Sequence, residues 1–336
     1  MSDDAVVDLL VVGAGPTGIA IGVEAGKRGL SCLLVDRGAL AANLLDFPTY
    51  MTFFTTRDLL EIGGVPFSVP QDKPSRREAL AYYRAVAAKH GLAVALHEEV
   101  RSARRRGAIF EVRCHGAAGE RRRSARAVAL ATGYFHRPRK LGVAGEDLPW
   151  VHSRYLEPYR HYGERVAVIG GGNSAVEAAL DMWRNGVEVT LVHRRHEVKP
   201  TVKYWIKPDI ENRISEAAIG SRLETTVRAF TAEGIALDGP DGPEVLEAAA
   251  AYVLIGYEPD VSLQRGAGVR LDPHTLVPAF DPSSCESNVP GLYIAGTLQA
   301  GRDTNRIFIE NSRVHSVRLV EHLAQRLGRA SGDTAT

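Results

Sequence analysis

The sequence predicts an α/β fold made of two similar strand–turn–helix–strand units, at residues 6–36 and 165–195. In each unit an apolar strand leads into a glycine-rich turn, a helical pattern follows, and a second apolar strand closes the unit. The two turns have the spacings G-x-G-x-x-G and G-x-G-x-x-A. A strand before and a helix after such a turn are the features of a Rossmann-like dinucleotide-binding domain with a parallel sheet.

Length and composition agree with two such domains. The chain has 336 residues, of which 45% are hydrophobic and 24% charged, and its net charge of +1 does not indicate a nucleic-acid or membrane partner. No apolar run is long enough to span a bilayer, and the acidic start MSDD lacks the basic and apolar regions of a signal peptide. Cys32, Cys114 and Cys285 lie far apart, without a C-x-x-C pair. We therefore expect a cytoplasmic protein without a metal site.

The first unit has the residues that a dinucleotide requires. Gly13 allows a tight turn, Gly15 lets a pyrophosphate approach the backbone, and Gly18 lets the helix pack against the strand. The free N–H groups at the helix start then face the phosphates. Asp36 ends the second strand, where an acid accepts hydrogen bonds from ribose hydroxyls. The residues predicted to bind a cofactor here are Gly13, Gly15, Pro16, Thr17, Gly18, Asp36 and Arg37.

The second unit differs at the end of its second strand. There His193, Arg194 and Arg195 replace the acid. An acid would repel a ribose 2′-phosphate, whereas these side chains offer charge and bidentate donors to one. We therefore predict that the first site takes the adenosine of FAD and the second that of NADPH; the alternative for the basic group is a solvated turn. The residues predicted to bind here are Gly170, Gly172, Asn173, Ser174, Ala175, His193, Arg194 and Arg195.

Some features of the second unit and of the loops allow two interpretations. Lys199 and Lys203 either add charge near the phosphate or are ordinary surface lysines. The irregular stretch Arg37–Pro74 is rich in aromatic residues near its start, within DFPTYMTFFTT. These aromatic rings either cover a flat ring system or pack a small satellite core.

Two further turns are candidate cofactor contacts. Three short β runs after the first unit end in ALATG, and small residues such as Thr132 and Gly133 let the chain pass close to a cofactor. Near the end, a strand leads into Gly296, and a helix predicted from Ile307 to Leu323 follows. The additional residues predicted to bind cofactor are Thr132, Gly133, Gly296, Thr297, Arg306 and Ile307.

Two nucleotide-binding units, an A-T-G strand between them and a Y-I-A-G turn after the second resemble the thioredoxin-reductase superfamily over almost the whole chain. In that superfamily the second unit is inserted into the first domain. The resemblance therefore implies an FAD-binding domain at 1–157 and 257–336 around an NADPH-binding domain at 158–256. It also implies a homodimer or a higher homo-oligomer, and it places Thr297 near the flavin ribityl chain.

A closer resemblance rests on the strings FPTYMTFFTT, KPSRREALAYYR, GGGNSAVEAAL, IGYEPD and YIAGTLQAGRDTNRIFIENSRVH. They are similar to the bacillithiol-disulfide reductases, which are FAD- and NADPH-containing enzymes without C-x-x-C. The resemblance implies an oxidoreductase that passes hydride from NADPH to FAD and on to a low-molecular-weight disulfide. One position departs from the pattern, because several members carry a cysteine after the proline of the first turn, where this chain has Thr17. Thr17 is thus the candidate catalytic position, and it matters only if the reaction needs that thiol and not the flavin alone. Threonine cannot form a mixed disulfide.

Two other functions remain open. Ferredoxin/flavodoxin-NADP reductases of the same superfamily also lack C-x-x-C and pass electrons to a small redox protein. Those relatives usually carry a C-terminal extension with an aromatic ring, and the tail GRASGDTAT has none. The third possibility is a non-catalytic flavoprotein that binds NADPH as a redox sensor.

Overall fold

The protein is described here by a computed structural model that covers residues 5–329. The acidic start at 1–4 and the end of the polar tail at 330–336 lie outside the described residues. The strands are β1 (Val6–Val12), β2 (Cys32–Val35), β3 (Ala93–Ala95), β4 (Glu98–Arg106), β5 (Ile109–Gly116), β6 (Gly119–Leu130), β7 (Val151–His152), β8 (Arg165–Ile169), β9 (Glu188–Val192), β10 (Gly220–Arg222), β11 (Thr226–Thr231), β12 (Gly234–Gly239), β13 (Gly242–Leu246), β14 (Ala250–Val253) and β15 (Leu292–Ile294). The helices are α1 (Pro16–Lys27), α2 (Arg57–Leu60), α3 (Arg76–Lys89), α4 (Asn173–Arg184), α5 (Lys207–Ser215), α6 (Ser262–Gly266) and α7 (Ile309–Arg326).

The chain forms two compact units, and the second is inserted into the sequence of the first. Unit 1 contains the residues up to 45, 50–137 and those from 258 onward, and unit 2 contains 46–49 and 138–257. The linker after 137 belongs to unit 2 because its backbone is bonded there: Arg139 N–H donates to Gly256 O and Phe230 N–H donates to Ala144 O, both at 2.9 Å. The cofactor domains predicted with a boundary at 157/158 stay a prediction.

Unit 1 is built on a seven-stranded sheet in the order β3-β2-β1-β6-β5-β4, with β15 paired to β6. The strands β1, β2, β3, β6 and β15 are parallel, whereas β4, β5 and β6 form an antiparallel meander. Apart from its first residue, β1 is buried along its whole length, as expected of a central strand covered on both faces. Val12 pairs with Val35 and Leu130, so the turns that follow these strands meet at one edge of the sheet.

Unit 2 contains a parallel five-stranded sheet in the order β10-β9-β8-β14-β7 and a separate antiparallel sheet, β11-β12-β13. The helix α4 buries its apolar side, including Val176 and Leu180, in a core shared with β8 and β9. Ile169 pairs with Val192, which brings the second glycine turn and the basic group after β9 to the same edge. The strands β12 and β13 form a hairpin around DGPDGPE, and β11 adds a third strand through a turn that ends at Gly234.

Local signals set the helix ends. Ser75 and Glu78 form a capping box at the start of α3: Ser75 N–H donates to Glu78 Oε2 at 2.7 Å, and Glu78 N–H donates to Ser75 Oγ at 3.3 Å. The last helix begins at Ile309 instead of the predicted Ile307, because Asn311 Oδ1 accepts the N–H of Phe308 and caps the helix there. Of the helices in the described chain, none combines the length and the apolar character needed to cross a membrane.

Candidate functional site

In the first glycine turn, two glycines are required by the fold and one faces open space. A Cβ on Gly13, whose φ is +110°, would lie 2.5 Å from Ala131 O, and one on Gly18 would lie 1.9 Å from Gly13 O. A Cβ on Gly15 would meet nothing within 4 Å. Gly13 and Gly18 therefore permit close backbone packing, whereas the space at Gly15 is left for a ligand. This arrangement fits a pyrophosphate at the start of α1.

Asp36 is held by the backbone beside this turn. Its Oδ2 accepts the N–H of Ala14 at 2.7 Å, and its Oδ1 accepts the N–H of Gly38 at 2.8 Å. Each carboxylate oxygen can accept a second hydrogen bond. The carboxylate can therefore bind ribose hydroxyls without losing its backbone contacts.

A cleft of unit 1 runs along the edge where its parallel strands end. Its lining residues are Val12, Gly13, Gly15, Val35, Asp36, Arg37, Ala42, Asn43, Glu98, Glu99, Val100, Ala131, Thr132, His136, Asp260, Ser262 and Leu263. The cleft brings together five predicted residues, which are Gly13, Gly15, Asp36, Arg37 and Thr132. Sequence reasoning missed Asn43, Glu98 and Ser262 because they come from segments that no motif marks.

Gly133 and Thr297 lie next to each other beside this cleft. A Cβ on Gly133, whose φ is +66°, would lie 3.1 Å from Asn43 Nδ2 and 3.7 Å from Thr297 Oγ1. Polar side chains from two distant segments therefore surround the A-T-G turn. Arg306 and Ile307 are not among the residues that line the cleft, and they precede α7.

Thr17 contacts the other glycine turn of unit 1. Its Oγ1 lies 3.3 Å from Ser312 Oγ, and a Cβ on Gly296 would lie 2.9 Å from the same Oγ1. Thr17 is in the first turn of α1, and Ser312 is in the first turns of α7. A cysteine at position 17 would therefore lie beside Gly296, between two helix starts.

His315 holds the backbone of the Gly296 turn in place through a hydrogen bond. The N–H of Gly296 donates to His315 Nδ1 at 3.0 Å, and the imidazole is buried. Burial, with a smaller contribution from Arg318, lowers the pKa of His315 from its ordinary 6.5 to about 4. The ring is therefore neutral at physiological pH, and its Nδ1 is a hydrogen-bond acceptor.

This pKa predicts how acid affects stability. The unfolded chain binds a proton on His315 near pH 6.5 and the folded chain only near pH 4, so the free energy of unfolding falls as pH decreases through this window. We expect protonation of His315 to lower the free energy of unfolding by about 3 kcal/mol between pH 7.5 and pH 4. Denaturant unfolding of the wild type and of His315→Asn, whose amide oxygen can still accept the Gly296 N–H, measures the difference. Identical pH profiles of the two proteins would contradict the prediction.

The second glycine turn is organised in the same way within unit 2. A Cβ on Gly170, whose φ is +148°, would lie 2.4 Å from Leu254 O, and Ala175 is fully buried behind it. Gly172 has only the end of the Lys199 side chain nearby, at 3.9–4.0 Å. Asn173 begins α4, and its Oδ1 accepts the N–H of Lys203 at 2.9 Å. Ser174, in the first turn of α4, is exposed.

His193 differs from the expectation that it offers charge to a phosphate. The side chain is buried, and its Nε2 has no hydrogen-bond partner among the described residues. Burial lowers the pKa of His193, and Lys199, Arg194 and Arg195 lower it further. The imidazole is therefore neutral. The ring packs against Gly171, and the backbone of His193 is bonded to Arg222 and Thr225, which lie far along the chain, so the residues around position 193 did not reveal this burial.

The positive charge in this part of unit 2 comes instead from arginine and lysine side chains. Arg194 and Arg195 are exposed and form no ion pair with any described carboxylate. Burial lowers the pKa of Lys199, and Arg139, Arg194 and Arg195 lower it further, so these cations lie near one another. The N–H of Lys199 donates to Gly171 O at 2.8 Å. A cluster of cations beside a helix start fits an anionic phosphate.

None of the three cysteines supplies a reactive thiolate. Cys114 and Cys285 are buried, and Cys32 lies in β2. Burial raises the pKa of Cys32 to about 12, and burial together with Glu98 raises that of Cys114 to about 12. Burial also raises the pKa of Cys285. Within residues 5–329, no three His, Cys, Asp or Glu side chains are grouped to hold a metal ion.

Two α/β units, each with a glycine turn at the carboxyl edge of a parallel sheet, define a protein of the two-dinucleotide class. Comparison with known proteins gives the family. The model of the pyridine nucleotide-disulphide oxidoreductase family matches residues 10–296. The chain therefore belongs to this family and is an oxidoreductase, and the family implies FAD and NADPH as cofactors.

Individual relatives refine the family assignment. Bacilliredoxin reductase Bdr of Bacillus subtilis is 32% identical over 319 residues, which cover 94% of this chain and 97% of that protein. The structure of bacillithiol disulfide reductase Bdr from Bacillus cereus has a TM-score of 0.93 at 31% identity, covering 96% of this chain and 100% of that chain. A ferredoxin–NADP reductase of Ignicoccus hospitalis is 24% identical and covers 87% of this chain and 90% of that protein. The predicted fold class and the predicted resemblance to the Bdr group are confirmed.

Proposed function

We propose that this protein oxidises NADPH and reduces a low-molecular-weight disulfide of the bacillithiol type. The observation that carries the proposal is the 32% identity to Bdr over nearly the full length of both chains. FAD, when bound, supplies a ring that takes hydride from NADPH and passes two electrons to the acceptor.

Unit 1 is the proposed FAD-binding domain. The open space at Gly15 and the N–H groups at the start of α1 would accept the pyrophosphate, and Asp36 would bind the adenosine ribose. The side chains of Asn43 and Thr297 beside Gly133 would bind the ribityl chain. These contacts would orient the cofactor and leave the redox chemistry to its ring.

Unit 2 is the proposed NADPH-binding domain. The cations next to the second glycine turn are Arg194, Arg195 and Lys199. The segment directly after β9 carries no carboxylate of the kind that Asp36 supplies after β2. Arginine binds phosphate oxygens in a bidentate manner, so the arginines are assigned to the 2′-phosphate. Lys199, beside Gly172, would add positive charge near the coenzyme phosphates.

The proposed reduction uses no cysteine of this chain. By the resemblance, Thr17 stands where several bacillithiol-disulfide reductases carry a cysteine, and the pKa values of Cys32, Cys114 and Cys285 are all raised by burial. A thiol acts as a nucleophile in its thiolate form, which these environments disfavour. The disulfide would therefore be reduced without a mixed disulfide to the protein.

The experiment that tests the function is anaerobic reduction of the protein by NADPH, followed by reoxidation with separate acceptors. We expect rapid reoxidation by bacillithiol disulfide and slower reoxidation by glutathione disulfide, ferredoxin and quinones. A rate with bacillithiol disulfide equal to the rate with oxygen alone would contradict the proposal. In that case Thr17→Cys is the informative variant: a gain of disulfide reduction would mean that the reaction needs the thiol that this chain lacks.

A second candidate is electron transfer to a small redox protein, as in the ferredoxin–NADP reductase relatives. It is favoured by the lack of a reactive thiol in this chain. Ferredoxin-dependent cytochrome reduction without disulfide reduction would support it. If NADPH reduces the flavin but none of the acceptors reoxidises it, the redox-sensor function is supported instead.

We also propose that the protein is cytoplasmic and forms a homodimer or a higher homo-oligomer. The cytoplasmic location is proposed from the scattered cysteines and the acidic start of the sequence, and the homo-oligomer from the resemblance to the thioredoxin-reductase superfamily. Light scattering after gel filtration measures the oligomeric state, and a monomer at micromolar concentration would exclude the homo-oligomer.

A further inference from the structure

A buried tyrosine of unit 2 is hydrogen-bonded to a histidine that in turn contacts a carboxylate. The hydroxyl oxygen of Tyr252, in β14, lies 2.9 Å from Nε2 of His161. Nδ1 of the same ring lies 2.8 Å from Oε2 of Glu164. Tyr252 and His161 are buried, whereas the side chain of Glu164 is nearly half exposed. These three residues, here called the Tyr252 triad, form a chain of hydrogen bonds that runs from the core to the surface.

The carboxylate at one end of the Tyr252 triad decides where its hydrogens lie. An ionised carboxylate can only accept hydrogen bonds, so Nδ1 of His161 carries the hydrogen that points to Glu164. In the neutral imidazole Nε2 then has no hydrogen and accepts the O–H of Tyr252. Burial raises the pKa of Tyr252 to about 12, so the phenol keeps its proton at neutral pH. The ring nitrogen is therefore a base within hydrogen-bonding distance of a phenolic proton.

Unit 1 contains a similar arrangement around Tyr293, which lies in β15. Its hydroxyl oxygen lies 2.9 Å from Nδ1 of His322, and Nε2 of that ring lies 3.9 Å from Oε2 of Glu286. Tyr293 is fully buried, and burial raises its pKa. The distance to Glu286 exceeds that of a hydrogen bond, so this Tyr293 triad is the looser of the two.

Two buried tyrosines of α3 show that burial does not by itself supply a base. Tyr82 donates its O–H to Val65 O at 2.7 Å, and Tyr83 donates its O–H to Leu60 O at 3.2 Å. A main-chain carbonyl oxygen accepts a hydrogen bond, but it does not take up a proton at neutral pH. Tyr83, which is fully buried like Tyr293, is therefore a matched control for a tyrosine with a base.

We propose that Tyr252 and Tyr293 are redox-active tyrosines through which the protein reduces small one-electron oxidants, such as free radicals. In the Tyr252 triad the oxidant gains one electron from the phenol, the O–H bond breaks, and the proton forms an N–H bond at Nε2 of His161. The products are the reduced oxidant, a neutral tyrosyl radical and an imidazolium paired with Glu164. A phenol that kept its proton would be a buried cation, which is costly, so the base is what allows the buried tyrosine to lose an electron. This one-electron activity is separate from hydride transfer and does not depend on which acceptor the flavin reduces.

Pulse radiolysis of the purified holoenzyme, with the azide radical as the oxidant, tests the proposal. The neutral tyrosyl radical is followed by its absorption and by electron paramagnetic resonance. Radicals on exposed tyrosines such as Tyr204 decay when two protein molecules collide, so their decay rate rises with protein concentration. A buried radical decays at a rate that is independent of concentration. We expect a long-lived radical of this second kind in the wild type.

His161→Gln separates the base from the hydrogen bond, because the amide oxygen can still accept the O–H of Tyr252 but is not a base. The comparison is made in a Tyr293→Phe background, so that the signal comes from the Tyr252 triad. There we expect His161→Gln to lower the yield of the long-lived radical about tenfold or more, because a positioned base accelerates proton transfer by about a hundredfold or more. Tyr252→Phe should lower the yield at least as much. Tyr83→Phe should leave it unchanged.

Thermal unfolding shows which variants are folded, and the radical yields of those variants decide the proposal. An unchanged yield in His161→Gln would mean that the imidazole is only a structural partner of Tyr252, and the proposal would be wrong. It would also be wrong if Tyr83→Phe lowered the yield as much as Tyr252→Phe, because burial alone would then preserve the radical. Should the unit 2 variants fail to fold, His322→Gln and Tyr293→Phe are compared in the otherwise unchanged protein. A lower yield in both supports the role of the base, and an unchanged yield in His322→Gln contradicts it.

Discussion

Replacing Arg194 and Arg195 with alanine is expected to raise the KM for NADPH about 100-fold while changing that for NADH by less than about threefold. A hydrogen bond to a charged group contributes about 1.5–3 kcal/mol, and the double variant removes two such donors. Both side chains are exposed and form no ion pair with described residues, so their loss should not disturb folding. Steady-state kinetics with both coenzymes and one acceptor measure the effect.

The matched control for this prediction is Arg228→Ala in the same unit. Arg228 lies in β11 and pairs with Asp238 at 3.2 Å, away from the glycine turn in the sequence and on a different sheet. It should change neither KM. An equal rise in KM for NADPH and NADH in the double arginine variant would mean that these arginines do not recognise the 2′-phosphate.

The two glycine turns could be predicted from the sequence because their signals are local. A run of apolar residues, glycines at fixed spacing and a helical pattern lie within about thirty residues, and β1 with α1 and β8 with α4 follow them closely. The α3 capping box is local in the same way, because Ser75 and Glu78 lie within one turn of each other. Such features depend on neighbouring residues and not on the rest of the fold.

The rest of the candidate site depends on contacts between distant segments. The neutrality of His193 follows from its burial, and its backbone is bonded to Arg222 and Thr225, which lie far from position 193 in the sequence. Asn43 reaches Gly133 from the loop after β2, and His315 reaches Gly296 from the last helix. Side-chain type alone suggested a charged histidine, whereas the packing makes it a neutral one. Burial and charge at a site are thus properties of the tertiary structure.

The glycines of the first turn allow folding and cofactor binding to be separated experimentally. Gly15→Ala is expected to weaken FAD binding about 100-fold with a change of less than about 1 kcal/mol in the unfolding free energy of the apoprotein. A Cβ at Gly15 meets no protein atom within 4 Å, and its φ of −79° suits alanine. The methyl group would instead occupy space assigned to the pyrophosphate.

Gly26→Ala is the matched control for Gly15→Ala. Gly26 lies in the same helix, a Cβ there also meets nothing within 4 Å, and the residue is exposed. Alanine should stabilise the helix by about 0.5–1 kcal/mol and leave FAD affinity unchanged. Flavin content after purification and titration of the apoprotein with FAD measure both variants. If Gly15→Ala retains FAD as tightly as Gly26→Ala does, the pyrophosphate does not lie at the start of α1 and the assignment of unit 1 to FAD fails.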